Sequence, residues 1–197
     1  SLVLVRVLLQ RGMGVWPLYV RCGLAWESAE LAWLRRWLRA LRHPRLQQLH
    51  VVSLPLRSLY DGHWSLTGEG IPGATSPDAA VYLPGRNLLL LSCAALYALR
   101  RRASSLALGL LAGNPFPDAT PKFLRRLASC LSQALAHRIA IQTPLRHLTK
   151  AQLVAAAPDG PFQLTWSCLR PLGRRHCGRC NKCAERRRAF RATRVPD

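Results

Sequence analysis

Of the seven cysteines in the 197 residues, four fall close together near the C-terminus, at Cys168, Cys177, Cys180 and Cys183. The spacing Cys-x8-Cys-x2-Cys-x2-Cys suits metal binding. Two residues between thiols allow a tight turn to aim both sulfurs at one ion. A further sulfur from just upstream then closes a tetrahedron, which is the ligand logic of a structural zinc site. With four thiolates no coordination position stays open, so the expected role is to hold a loop rather than to turn over substrate. Gly178 lies between two of the ligands, where a positive φ is commonly needed. Iron–sulfur ferredoxins share the Cys-x2-Cys-x2-Cys run but continue to a Cys-Pro after three more residues. Arg187 stands at that position. Thiols at this spacing also bridge poorly as disulfides. Zinc is the expectation, with a cluster or redox site and uncoordinated thiols as the alternatives. Cys22, Cys93 and Cys130 lie in apolar stretches and read as core fillers.

The formal net charge is +20, from 29 Lys and Arg against 9 Asp and Glu, and the lysines are Lys122, Lys150 and Lys182 alone. Such a charge attracts polyanions. Against that, a GC-rich coding sequence also yields abundant Arg, Ala, Leu and Pro, and a tetrathiolate zinc carries a formal charge of about −2 that Arg174, Arg175 and Arg179 could offset. The charge is spread along the chain rather than interleaved with exposed aromatics, so nucleic acid is admitted as a partner but not favoured. At 49% apolar residues the chain is not of a disordered class. Cysteines in a metal pattern point to a reducing, cytoplasmic compartment. No apolar run reaches bilayer-spanning length and no secretion signal is recognisable, so no membrane partner is expected. Ser1 runs straight into Leu2-Val3-Leu4-Val5, from which an N-terminally truncated chain is expected.

The elements that must position these residues alternate. Leu2 to Leu9 is a run whose length alone does not separate a buried strand from a buried helix, with Gly12 favouring a helix C-cap, and Val15 to Val20 reads as a short buried strand with Pro17 near its beginning. Glu27-Ser28-Ala29-Glu30 opens a helix in which Leu31, Leu34, Leu38 and Leu41 make the apolar stripe, widened by Trp33 and Trp37. Leu49 to Leu54 is a strand. Pro55 to Pro77 is a long loop, a candidate lid or partner surface, with His50 and His63 near it as ordinary surface or core histidines. A buried helix follows over Leu88 to Leu99, then a strand over Ser104 to Leu111 with a turn at Gly113 to Asp118. Phe123 to Leu135 has helical spacing, Ile139 to Ile141 is a brief strand, and Thr149 caps a helix through Leu153 and Val154. Regular alternation of strand and helix predicts an α/β fold with a doubly wound parallel sheet, as one domain over residues 1–197 that ends in a zinc-binding segment at 165–190. In such sheets ligands bind beyond the carboxyl ends of the strands, where the turns at Arg86 and Asp118 belong.

Four stretches together carry a resemblance. They are Tyr82-Leu83-Pro84-Gly85-Arg86-Asn87; Phe116-Pro117-Asp118-Ala119-Thr120-Pro121-Lys122-Phe123; Thr143-Pro144-Leu145 with Leu148-Thr149-Lys150-Ala151; and Leu164-Thr165-Trp166-Ser167-Cys168 with the three later cysteines. In this order they resemble the 7-cyano-7-deazaguanine synthase family, the QueC or ExsB-type PP-loop enzymes, from about Val81 to the end. The resemblance implies a Rossmann-like PP-loop fold and an ATP-dependent carbon–nitrogen ligase that converts 7-carboxy-7-deazaguanine and ammonia into 7-cyano-7-deazaguanine, in queuosine and deazapurine biosynthesis. It implies ATP and Mg2+ besides structural zinc, a deazapurine carboxylate and ammonia as partners, and allows a homodimer. Related readings are an adenylating PP-loop enzyme acting on another carboxylate or a tRNA base, and a catalytically dead, zinc-stapled nucleic-acid-binding protein.

By the same resemblance Arg86 and Asn87 would lie near nucleotide or substrate, Asp118 near the base or a metal, and Lys150 within reach of a phosphate. The family's Ser-Gly-Gly-x-Asp-Ser pyrophosphate loop has no Gly-Gly counterpart in these residues, and Ser1 is placed as its final serine, with Leu2 to Gln10 the helix after it. Arg21-Cys22-Gly23-Leu24-Ala25-Trp26-Glu27 departs from the family's Asp-Tyr-Gly-Gln-x-His, and Ala119-Thr120 replaces its Cys-Arg. Trp166 is expected to pack under the metal loop.

Overall fold

A computed structural model describes residues 2–157 and 160–197. In chain order its elements are α1 (Leu2–Gln10), β1 (Leu18–Arg21), α2 (Glu27–Leu41), β2 (His50–Ser53), α3 (Trp64–Thr67), α4 (Arg86–Arg100), β3 (Ser105–Ala107), α5 (Pro121–Ala134), β4 (Ala140–Gln142), α6 (Lys150–Ala155) and α7 (Asn181–Thr193). The fold is α/β with parallel strands, as the alternation predicts. The sheets are small, however: β1 pairs with β2 and β3 with β4, each as a separate parallel pair. Among the described residues no helix is long and apolar enough to cross a membrane.

The chain divides into two compact units, one of residues 82–149 and one that joins residues 2–81 to 150–197. In the 82–149 unit, α4 and α5 pack on the β3–β4 pair. Leu91, Ala95 and Ala98 of α4 meet Leu106 of β3, Leu124 and Leu127 of α5, and Ile139. The strand expected over Ser104 to Leu111 is shorter in its regular part, yet its backbone stays bonded beyond β3. Leu108 N–H donates to Gln142 C=O at 2.9 Å, and Ala112 N–H to Leu148 C=O at 2.9 Å. Cys130 is not a core filler, since it lies on the exposed side of α5, whereas Cys22 is buried as expected.

In the other unit, α1 ends as its sequence dictates. Gly12, at φ 75°, donates to Leu9 C=O and Met13 donates to Leu8 C=O, a paired closure that needs the left-handed residue. The strand expected at Val15 is split by Pro17, which has no N–H to give. Val15 bridges to Leu46, and the regular ladder resumes only at Leu18↔His50. The segment read as a long loop is loop-like and largely exposed or half-buried apart from one helical turn and the buried Leu56 and Ser65. It contains α3, capped by His63, whose Nδ1 accepts from Ser65 N–H at 3.3 Å, and Trp64 stacks on Trp26 with 5.8 Å between centroids. Burial pushes the His63 pKa down. Helix α7 was not expected. Its buried face runs Asn181, Cys183, Ala184, Arg186, Ala189, Phe190, and polar residues in that stripe disguise it. Phe190 meets Phe162 edge-on at 5.2 Å, in a cluster with Val154 of α6.

Leu91→Ala opens a cavity in the 82–149 core and should cost about 2–5 kcal/mol in denaturant unfolding, whereas Leu96→Ala, on the exposed side of α4, should stay within about 0.5 kcal/mol of the parent.

Candidate functional site

The four sulfurs of Cys168, Cys177, Cys180 and Cys183 all lie within 4.8 Å of one another. A tetrahedral ion with metal–sulfur bonds of about 2.3 Å places its sulfurs about 3.8 Å apart; Cys177 Sγ and Cys183 Sγ are 3.9 Å apart. The backbone is arranged to meet negative sulfur. Arg170 and Cys177 N–H groups donate to Cys168 Sγ, and Arg179 and Cys180 N–H groups to Cys177 Sγ, all at 3.3 Å, while Leu169 N–H donates to Cys180 Sγ at 3.4 Å. Gly178, at φ 70°, makes the turn that lets two of these donors face Cys177. Cys180 is the N-cap of α7 and Cys183 sits in its first turn, so the positive end of that helix also favours thiolate. In the absence of an ion, the thiols of Cys168 and Cys183 donating to Cys180 hold the Cys180 pKa far down and that of Cys168 far up. A bound cation would stabilise all four as thiolates. The donor set therefore fits one closed-shell metal ion, and zinc suits it.

This centre anchors its surroundings by direct bonds. Cys180 bridges to Gly73; Asn181 N–H donates to Pro72 C=O at 2.9 Å, and its Nδ2 to Ser76 C=O at 2.7 Å. The far end of the long loop is thus fastened to the first residues of α7. Trp166 Nε1 donates to Cys168 C=O at 2.9 Å, and its ring lies 4.5 Å from His176 and 6.5 Å from Trp33 of α2, so it packs against the metal loop as expected. Burial, with the Arg186 charge second, pushes the His176 pKa down. Arg186, which sequence reading did not single out, is buried and fully engaged. Its Nε donates to Asp197 Oδ1 at 2.6 Å, Nη1 to Thr165 Oγ1 at 2.6 Å and Nη2 to Phe162 C=O at 2.8 Å.

Lys150, in the first turn of α6, is neither free in solvent nor open. Its Nζ lies 3.0 Å from Glu185 Oε2, which also takes Lys182 Nζ at 2.9 Å. Burial lowers the Lys150 pKa ahead of the attraction of a carboxylate that it must share. Burial alone would raise Glu185, but the two ammonium groups reverse it and hold its carboxyl below the ordinary range.

In the 82–149 unit the sequence-predicted Arg86, Asn87 and Asp118 do come together. Asn87 N–H donates to Asp118 Oδ2 at 2.9 Å, and Asn87 Nδ2 to Asp118 Oδ1 at 3.1 Å. Asp118, 6% exposed, thus caps α4 across 31 residues of sequence. The Arg86 Nε–H is buried without an acceptor among the described residues. Tyr82 and Phe116 stack at 5.0 Å, and Arg146 Nη1 holds Ala119 C=O at 2.8 Å, both bracing the turn that carries Asp118. Thr120, where the family's arginine is expected, is the N-cap of α5, its hydroxyl accepting from Phe123 N–H at 3.2 Å. Ser1 lies outside the described residues.

Parallel α/β architecture with four convergent cysteines defines an α/β protein that could hold one metal ion in a closed, loop-anchoring site. The particular family follows from comparison: the queuosine biosynthesis protein QueC family model matches residues 1–194, and the chain belongs to that family. The 7-cyano-7-deazaguanine synthase of Rhizobium meliloti (strain 1021) is 39% identical over 124 residues, covering 60% of this chain and 52% of that protein. That of Chelativorans sp. (strain BNC1) is 37% identical over 153 residues, 66% of this chain and 64% of its own. 7-cyano-7-deazaguanine synthase 1 of Desulfitobacterium hafniense (strain Y51) is 30% identical over 195 residues, 96% of this chain and 86% of its own. The chain thus spans about half the length of the first of these relatives, and the likeness reaches well upstream of Val81.

Cys168→Ser should abolish stoichiometric metal binding and lower the melting temperature, as elemental analysis and calorimetry would read; metal retained at one ion per chain would contradict the centre described. Glu185 has a depressed folded pKa, so its stabilisation is present above the unfolded value and is lost as pH falls through the folded one. Glu185→Gln should therefore cost about 1–2 kcal/mol at neutral pH and progressively less in acid, measured by urea midpoints across pH.

Proposed function

We propose that the protein is a 7-cyano-7-deazaguanine synthase-like ligase, which uses ATP to turn 7-carboxy-7-deazaguanine and ammonia into the 7-cyano compound. The observation that carries this reading is the family match over residues 1–194, joined to relatives named for that product. The reaction asks a carboxylate, which resists amine attack, to accept AMP from ATP as a mixed anhydride. Ammonia displaces AMP to give an amide, and a second adenylation of the amide oxygen lets that oxygen leave with AMP, forming the nitrile. Such chemistry needs positioning and stabilised phosphate charge more than it needs side-chain nucleophiles.

The roles fit the residues as follows. Arg86 keeps a buried N–H for a substrate or phosphate oxygen, and the Asp118–Asn87 pair fixes the helix start that carries it. Both Asp118 oxygens are already engaged by Asn87, which favours a positioning role for Asp118 over contact with a base or metal. Lys150 offers phosphate an ammonium whose carboxylate partner is shared with Lys182. Zinc, held by Cys168, Cys177, Cys180 and Cys183, supplies structure only. These cysteines are the one cluster of three or more metal-ligating side chains found among the described residues, so Mg2+ in this reading travels with the ATP phosphates. The fold reads as a doubly wound, Rossmann-like PP-loop domain over residues 1–197 working in the cytoplasm, with a homodimer admitted. A second reading, action on another carboxylate, is favoured by one observation: Thr120 is committed to capping α5 where the family's arginine is expected.

The test incubates the protein, extended upstream to include any phosphate-binding loop its gene encodes, with ATP, Mg2+, ammonia and the acid. AMP should form only when the acid is present, with the nitrile seen by mass spectrometry. Release of ADP, or nitrile without ATP, would overturn the mechanism, and acid-dependent AMP with a different carboxylate would select the second reading. Arg86→Ala should lower kcat/KM by about 100-fold or more.

A further inference from the structure

We propose that the metal loop and α2 together form a binding surface for single-stranded nucleic acid. No synthase role for the chain is needed for this inference. Sequence order disperses the arginines, but the fold gathers some of them around aromatic rings. Trp33 of α2, half-buried, donates its indole N–H to Arg174 C=O at 2.9 Å across 141 residues. Its ring stacks on Trp166, which in turn lies against His176 at a tilt of 36°, so the three rings form one aromatic cluster. The Arg36 guanidinium sits over the Trp33 ring at 5.3 Å from its centroid. Arg36, Arg39, Arg174 and Arg175 are all exposed.

The charge balance singles out this region. No Asp or Glu occurs from Leu31 to Tyr60, nor from Gly160 to Ala184. The tetrathiolate centre carries a formal charge of about −2. Arg170, Arg174, Arg175 and Arg179 already exceed it within the loop itself, and the carboxylates of α2, Glu27 and Glu30, are engaged by Arg21 and Tyr19. Aromatic rings bordered by guanidinium groups are what an unpaired strand requires: bases stack on the rings or on arginine planes, and phosphates meet the charge. A duplex hides its base faces and could use only the charge.

Fluorescence anisotropy with a labelled oligo-uridine RNA of about 12 nucleotides tests the proposal, over about 50 to about 200 mM salt. The metal-loaded protein should bind at low salt and weaken as salt rises. Arg174→Ala with Arg175→Ala should lower affinity about 10-fold or more and make the salt dependence shallower, and Arg36→Ala should weaken binding at least several-fold. Trp33→Ala should lower it about 5-fold or more; should that variant lose its metal or its cooperative melt, the exposed arginine variants decide alone. Arg125→Ala with Arg126→Ala, which removes the same charge from exposed positions on α5, should change affinity by less than about 2-fold. The proposal is overturned if RNA does not bind at low salt, if the α5 pair weakens binding as much as the loop pair, or if duplex DNA or anionic phospholipid vesicles are held as tightly as the single strand.

Discussion

Convergence of four sulfurs within 4.8 Å is the constraint on which the unit of residues 2–81 and 150–197 depends. Four thiolates this close repel one another, and burial penalises their charge further. A divalent cation reverses the sign of that interaction. Once it is met, the consequences spread through backbone contacts. Cys180 and Asn181 start α7 and at the same time fasten Gly73, Pro72 and Ser76. Through Trp166 the same centre reaches Trp33 and so fixes the face of α2. A small sheet of two short strands could not hold these segments by hydrogen bonding alone.

The 82–149 unit is secured differently, by an apolar core between two helices and by one polar exchange at a helix start. Asp118 does for α4 what an N-cap side chain usually does locally, but from a distant turn. The arrangement ties the position of Arg86 to the geometry of the Phe116–Ala119 turn, which Tyr82 stacking and Arg146 brace in turn. Residues that look like separate motifs in the chain are thus mechanically one object.

What could be read from sequence follows from how local each signal is. Cysteine spacing encodes a short-range geometry, and the four ligands were legible for that reason. Much of the strand and helix order was legible from the apolar pattern, and Gly12 pointed to the closure of α1 where that pattern alone did not. Helix α7 was not, because the stripe it buries includes Asn181 and Arg186, whose compatibility with an interior depends on carbonyls and a carboxylate supplied from elsewhere. Pro17 marks where an apolar run and a hydrogen-bonded ladder part company. The Asp118–Asn87 exchange and the Trp33–Arg174 bond join residues too far apart for any local pattern to announce them.

The cysteine-bearing unit is assembled from two separated pieces of chain, while the other is continuous. During synthesis the continuous piece can fold as soon as it clears the ribosome. The segment with α1, α2 and their strand pair must wait for residues 150–197, and until then Trp33 lacks both Trp166 and the Arg174 carbonyl. In that interval the apolar faces of the segment stay open to aggregation and proteolysis.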